Sequence, residues 1–189
     1  MTYTPTTDQR TAPPSQQVVA APSSTTMHVR KRSGALETAN VMKIVRAVER
    51  SSGTLESVDP LRVATRTISG LYDGATTQEL DELSIRTAAS LIAEEPEYSK
   101  LAARLLGVFV EKEVQNQDIH SFSQSVKTGH ALGLIADGVA EFVAENSRKL
   151  NDAVQIERAG LFEYFGIRTL YDRYLLKHPE SRFSIETPQ

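Results

Sequence analysis

Between Met27 and Ile44 the chain reads MHVRKRSGALETANVMKI, and this stretch leaves few choices of local fold. Ser33-Gly34 is a turn signal, so residues 27–32 and 35–38 read as two strands of one hairpin. Val41, Ile44, Val45 and Val48 then recur at i, i+3, i+4 and i+7, which predicts a helix over about 40–50. Arg30, Lys31 and Arg32 lead into the turn just ahead of that helix start. Helix N-termini present free N–H groups and a positive dipole end, and flanking cations add charge, so the stretch suits an anion such as a nucleotide phosphate. A solvated basic hairpin accounts for the same residues.

Helices dominate the rest. Asp59-Pro60 is a capping acid followed by proline at the first helical position, and Leu61, Ala64, Ile68 and Leu71 form the expected buried stripe. Gly70 weakens the end of that helix and Asp73-Gly74 closes the segment. Thr76 with Glu79 fits a capping box, with Leu80, Leu83, Thr87, Leu91 and Ile92 facing inward. Pro96 opens a fourth helix whose inward residues are Tyr98, Leu101, Leu105, Val108 and Phe109. The polar run 115–118 marks an expected boundary. Beyond it, helices are expected around 121–132, 136–148 and 160–176. The last carries Leu161, Phe162, Tyr164, Phe165, Leu170, Tyr171, Tyr174 and Leu175, and aromatics at helical spacing ordinarily pack a core. The stretch 183–189 carries no element signal. Residues 1–26 are rich in Thr, Pro, Ser, Gln and Ala, with only Asp8 and Arg10 charged, and read as a disordered tail.

Several function classes drop out. The 189 residues include no cysteine, which excludes disulfides, thiolate zinc sites and thiol chemistry carried by this chain. A formal net charge of −3 gives no global bias toward nucleic acid. No apolar run approaches the roughly 20 residues that span a bilayer, and no secretory leader is visible, so a cytoplasmic location is expected. There is neither a Gly-x-x-x-x-Gly-Lys loop nor a Gly-x-Gly-x-x-Gly turn. His28, His120, His130 and His178 share no metal-ligand spacing, so no metal site is expected. The pairs Asp81-Glu82 and Glu94-Glu95 read as solvated helix faces.

What stands out is a set of polar residues on the hairpin and at helix starts: Lys31, Glu37, Asn40, Lys43, Thr76 and Thr77. Lysines would fix a phosphate by charge-assisted bonds, and an acid or amide could read a base or a ribose hydroxyl. Thr76 and Asn40 also read as helix caps, Glu37 as a cross-strand partner of a cation, and Lys43 and Lys112 as ordinary exposed lysines.

The pieces MHVRKRSG, ETANVMKI, VDPLRVA, ISGLYDGATTQELDEL and PEYSKLAARLL, in this order and spacing, resemble the ATP-cone at the N-terminus of the large (α) subunit of class I ribonucleoside-diphosphate reductase. NSRKLNDAV, YFGIRTL and YLLK resemble the start of the helical region that follows it. The resemblance implies a mainly α fold, a small β-hairpin packed on a four-helix ATP-cone over 27–115, with 116–189 as the start of the reductase N-terminal domain. It implies an allosteric site for ATP or dATP, with magnesium. Lys31, Lys43 and Lys112 would contact phosphates, and Arg32 would assist. Glu37 and Asn40 would line the pocket, and Thr77 and Asp81 would approach the nucleotide from the third helix. It implies oligomerisation and two partners, the catalytic portion of the α subunit and the radical-generating β subunit.

Two positions depart from the family pattern. Ser33 stands where Asp is common, and Glu157-Arg158-Ala159-Gly160 replaces an acidic Asp-Arg-Asp-like run. Without cysteine the chain cannot reduce a ribonucleotide alone and holds no redox cofactor. It is expected to be a fragment or one piece of a split large subunit, docking through an aromatic face at 161–175. A stand-alone nucleotide-sensing regulator and a degenerate assembly module are the alternatives.

Overall fold

The computed structural model describes residues 27–188, so the tail expected at 1–26 lies outside the described residues. The hairpin forms as expected. β1 (His28–Arg30) and β2 (Leu36–Thr38) run antiparallel, with Val29 opposite Glu37. Gly34 sits at φ 84°, a region that favours glycine, and its N–H donates to the Lys31 carbonyl at 2.9 Å.

A third strand joins the pair. β3 (Ala75–Thr76) lies parallel to β1, with Val29 opposite Ala75 and Arg30 opposite Thr76. Two residues are too few to show alternation, so it is invisible to periodicity. It is tied down by Gly74 N–H donating to the His28 carbonyl at 2.8 Å, and by His28 N–H donating to Asp73 at 2.7 Å. The start of the next helix is thereby fastened beside Lys31 and Arg32.

Four helices follow: α1 (Val41–Ser52), α2 (Pro60–Ser69), α3 (Thr77–Ser90) and α4 (Tyr98–Gln115). Their starts obey local chemistry. Asn40 Oδ1 accepts from Met42 N–H at 3.0 Å. Asp59 Oδ1 accepts from the N–H groups of Leu61 and Arg62. Thr76 and Glu79 complete the capping box in both directions. Asp59→Ala is therefore expected to cost about 1 kcal/mol of stability, measured by urea unfolding.

The expected stripes need three corrections. In α2 the buried residues are Val63, Ala64 and Thr67, while Leu61 is 55% exposed. Thr67 can be buried because its hydroxyl donates to the Val63 carbonyl at 2.9 Å and meets Ser84 Oγ at 3.2 Å, which masks its polarity. In α3, Ile85 and Ala88 are buried, whereas Leu83, and Ile92 just past its end, are only half-buried. In α4, Val108 is 41% exposed, while Leu106 and Val110 sit in the core.

Beyond Gln115, a turn leads to α5 (Phe122–Ala131), α6 (Asp137–Glu145), α7 (Ser147–Ala153), a 3-10 turn (Ile156–Leu161) and α8 (Tyr164–Arg173). The helix expected at 136–148 is thus two. Asn146 breaks it, its side-chain amide donating to the Phe142 carbonyl in competition with the helix backbone. The helix expected at 160–176 is also interrupted, because Phe162 and Glu163 are extended. The aromatic stripe therefore divides. Phe162, Tyr164, Tyr171 and Leu175 pack on the core, while Leu161, Phe165 and Tyr174 stay exposed.

The segment after α8 carries no strand signal yet is built in. Lys177 and Ser184 form an antiparallel bridge, and Ser184 and Ile185 are fully buried. One apolar cluster runs from Val48 in α1 through α2, α3 and α4 to Ile167 and Ile185. Among the described residues no helix is long and apolar enough to cross a membrane.

Candidate functional site

A cavity of about 1060 Å³ opens between the hairpin, α1, the start of α3 and the middle of α4. Seven of the eight residues that the resemblance assigns to the nucleotide line it: Lys31, Glu37, Asn40, Lys43, Thr77, Asp81 and Lys112. They come from four elements. The hairpin turn brings Lys31 back over Glu37, the Asn40 cap aims α1 so that Lys43 returns to the same carboxylate, and β3 carries Thr77 and Asp81 to the opposite wall.

Two ion-pair systems organise the wall. Glu37 accepts from Lys31 at 2.5 Å and from Lys43. Hydrogen bonds from Lys31 and then Lys43 pull its carboxyl from the usual 4.5 down to about 2. A depressed carboxyl favours folding above pH 4.5, and that contribution fades as pH falls toward 2. A carbon-13 titration of the Glu37 carboxyl should give a midpoint of about 2. A midpoint at the usual 4.5 would mean the pairs do not persist in solution. The second system is Asp81, which accepts from Lys112 Nζ at 3.0 and 2.9 Å. Asn40 commits its side-chain oxygen to the helix cap, which leaves its amide nitrogen for any ligand.

Arg32 stands apart. It does not line this cavity but lies behind Asp81, with its guanidinium 5.2 Å from the Phe109 ring centroid. It opens instead on a second cleft of about 720 Å³, shared with Arg30, Glu113, His178 and Phe183.

Sequence reasoning missed three cations that line the cavity, namely Arg46, Arg50 and Arg104. Arg46 and Arg50 follow Lys43 at i+3 and i+7, a spacing that puts all three on one face of α1. Arg104 donates to the carbonyls of Ser51 and Ser52 and so closes the C-terminal end of α1. Six cationic side chains thus face the cavity against three carboxylates, Glu37, Asp81 and Glu111. In a chain whose net charge is −3, this is a local reversal of sign suited to a polyanion. The far end, between α1 and α4, is walled by Ala47, Val48, Ala103 and Leu105 and suits a flat apolar group. Among the described residues no three of His, Asp and Glu cluster as a metal site would require.

The ATP cone domain family matches residues 27–107. Over 170 residues the chain is 36% identical to the ribonucleoside-diphosphate reductase large subunit of Caenorhabditis elegans, covering 86% of this chain and 21% of that protein. It is 36% identical over 162 residues to the corresponding large subunit of Arabidopsis thaliana, covering 80% of this chain and 19% of that one. It is 35% identical over 159 residues to ribonucleoside-diphosphate reductase large chain 2 of Saccharomyces cerevisiae, covering 80% and 18%. The chain therefore spans between 18% and 21% of the length of these three relatives.

Proposed function

The chain carries an ATP-cone domain and is homologous to the N-terminal region of ribonucleoside-diphosphate reductase large subunits, and from this we propose that it is a regulatory portion that binds ATP and dATP as allosteric effectors. The observation that carries the reading is the convergence on one cavity of Lys31 and Lys43, inside the matched region, and Lys112, just beyond its end. Three ammonium groups suit a triphosphate, and each is now held by a carboxylate that a phosphate would displace. In this reading Glu37, Asn40, Thr77 and Asp81 meet the ribose and base, where ATP and dATP differ by one hydroxyl. Magnesium would arrive on the phosphates, the oxygen ligands it ordinarily keeps.

Regulation then follows from differential binding. Two nucleotides in one pocket shift an assembly equilibrium only as far as their affinities for its states differ. The cone over 27–115 would act as the sensor. Residues 116–189 would join it to the catalytic portion of the large subunit in the cytoplasm, with the small subunit as the further partner. The exposed Leu161, Phe165 and Tyr174 offer an apolar surface for that docking.

The test is calorimetric titration of the purified chain with ATP and, separately, dATP in magnesium. Saturable binding supports the reading, and no heat from a folded chain rejects it.

A further inference from the structure

Arg32 is a half-buried cation with two unsatisfied nitrogens. Its side chain is 16% exposed, and Nε and Nη2 are buried without a hydrogen-bond acceptor. These two nitrogens form one edge of the guanidinium fork, an edge that takes a carboxylate bidentately. Asp81 Oδ2 stands 3.5 Å from Nη2, within ion-pair range but beyond good hydrogen-bond length. Asp81 is engaged instead by Lys112, which donates to both of its oxygens.

Arg32 also abuts a chain of packed groups. Its guanidinium lies over Phe109, and Phe109 meets Tyr171 edge-on at 5.9 Å and 79°. Tyr171 Oη donates to Glu113 at 3.2 and 3.3 Å. Glu113 is almost wholly buried and accepts from the Ser184 N–H at 3.3 Å. Lys177, the bridge partner of Ser184, places Nζ 3.9 Å from the Tyr171 ring centroid.

We propose that Asp81 exchanges Lys112 for the free edge of Arg32 when a nucleotide phosphate fills the cavity, and that Phe109, Tyr171 and Glu113 carry this exchange to the strand pair at Lys177 and Ser184. It is the regulation of the nucleotide site proposed above and rests on that reading. Phosphate competes with Asp81 for the Lys112 ammonium. Once Lys112 turns away, Arg32 is the one cation left paired with Asp81, and closing the remaining gap satisfies both buried nitrogens. The guanidinium then moves on the Phe109 face. Close-packed interiors pass such shifts on, because they contain little free volume to absorb them.

The test uses the whole chain. Calorimetry with ATP and magnesium reports binding, while nuclear magnetic resonance follows the Arg32 Nε–H signal and amide exchange at Ser184 and Ile185. On binding, the Arg32 signal should move and exchange with water more slowly. The exchange of both amides should change by roughly five-fold or more, the lower end of ordinary coupling between sites. Tyr171→Phe keeps the ring and removes the bond to Glu113. In it ATP should bind and Arg32 should respond, while Ser184 and Ile185 should not. Glu113→Leu removes the acceptor shared by Tyr171 and Ser184 and gives a second break in the same chain should Tyr171→Phe disturb the core. Binding with no change at Arg32 overturns the exchange of partners. A change that stops at Arg32 in the unaltered chain overturns the relay. No binding at all overturns the nucleotide reading, and this proposal with it.

Discussion

Lys43→Ala should weaken binding of ATP and of dATP by roughly 10- to 150-fold, the equivalent of losing one hydrogen bond to a charged group. Lys43 reaches Glu37 from the first turn of α1, and its side chain is largely exposed. Its removal leaves the apolar core untouched, so the unfolding temperature should hardly move. Affinity and stability therefore separate in this variant, which distinguishes loss of a ligand contact from loss of the fold. The Glu37 carboxyl should respond as well. With Lys31 as its one remaining lysine, its titration midpoint should climb from about 2 toward the usual 4.5. Calorimetry of the variant beside the unaltered chain checks the first effect, and the carbon-13 titration checks the second. Equal affinity in both proteins would remove Lys43 from the site.

Leu101→Ala should destabilise the chain by about 2–5 kcal/mol, lowering the unfolding temperature by on the order of 10 °C. Leu101 is fully buried on α4, the helix that both α3 and α8 pack against. Truncating it leaves a cavity that close-packed neighbours cannot fill. Leu61→Ala is the matched control. The residue type is the same, but Leu61 is exposed on α2, so the change should stay within about 0.5 kcal/mol. Differential scanning calorimetry on both variants tests which leucines carry the core. Equal losses would mean that the α2 stripe faces inward at Leu61 after all.

Elements with local causes were legible in the sequence. Ser33-Gly34 places the hairpin, Asp59-Pro60 and Thr76 with Glu79 place two helix starts, and Asn40 reads as a cap. Capping bonds span two or three residues, so the neighbouring residues are sufficient to cause them. Errors arose where a distant partner decided. Thr67 carries no apolar signal, yet its bonds to Val63 and Ser84 let it be buried. The single helix expected at 160–176 is interrupted at Phe162 and Glu163, beside the contact of Tyr164 N–H with Ser99 Oγ, 65 residues away in sequence. Ala75 and Thr76 become a strand only by pairing with β1, some 45 residues earlier in the chain.

The same division holds for the cavity. The chain's own order of residues determined which side chains were candidates, because charge, amide and hydroxyl chemistry is written in residue type. It also determined that Lys31, Glu37 and Lys43 would meet, since a tight turn and one helix start connect them over a dozen residues. Only the tertiary structure decided that Asp81 and Lys112, 31 residues apart, close the opposite wall, and that Arg32 lies behind that wall instead of in the cavity. It alone brought Glu113 to Tyr171 and Ser184, across 58 and 71 residues. Helical period and capping act within about one turn of chain. Contacts at these separations form only when helix faces pack, and packing depends on the shape of every neighbour at once.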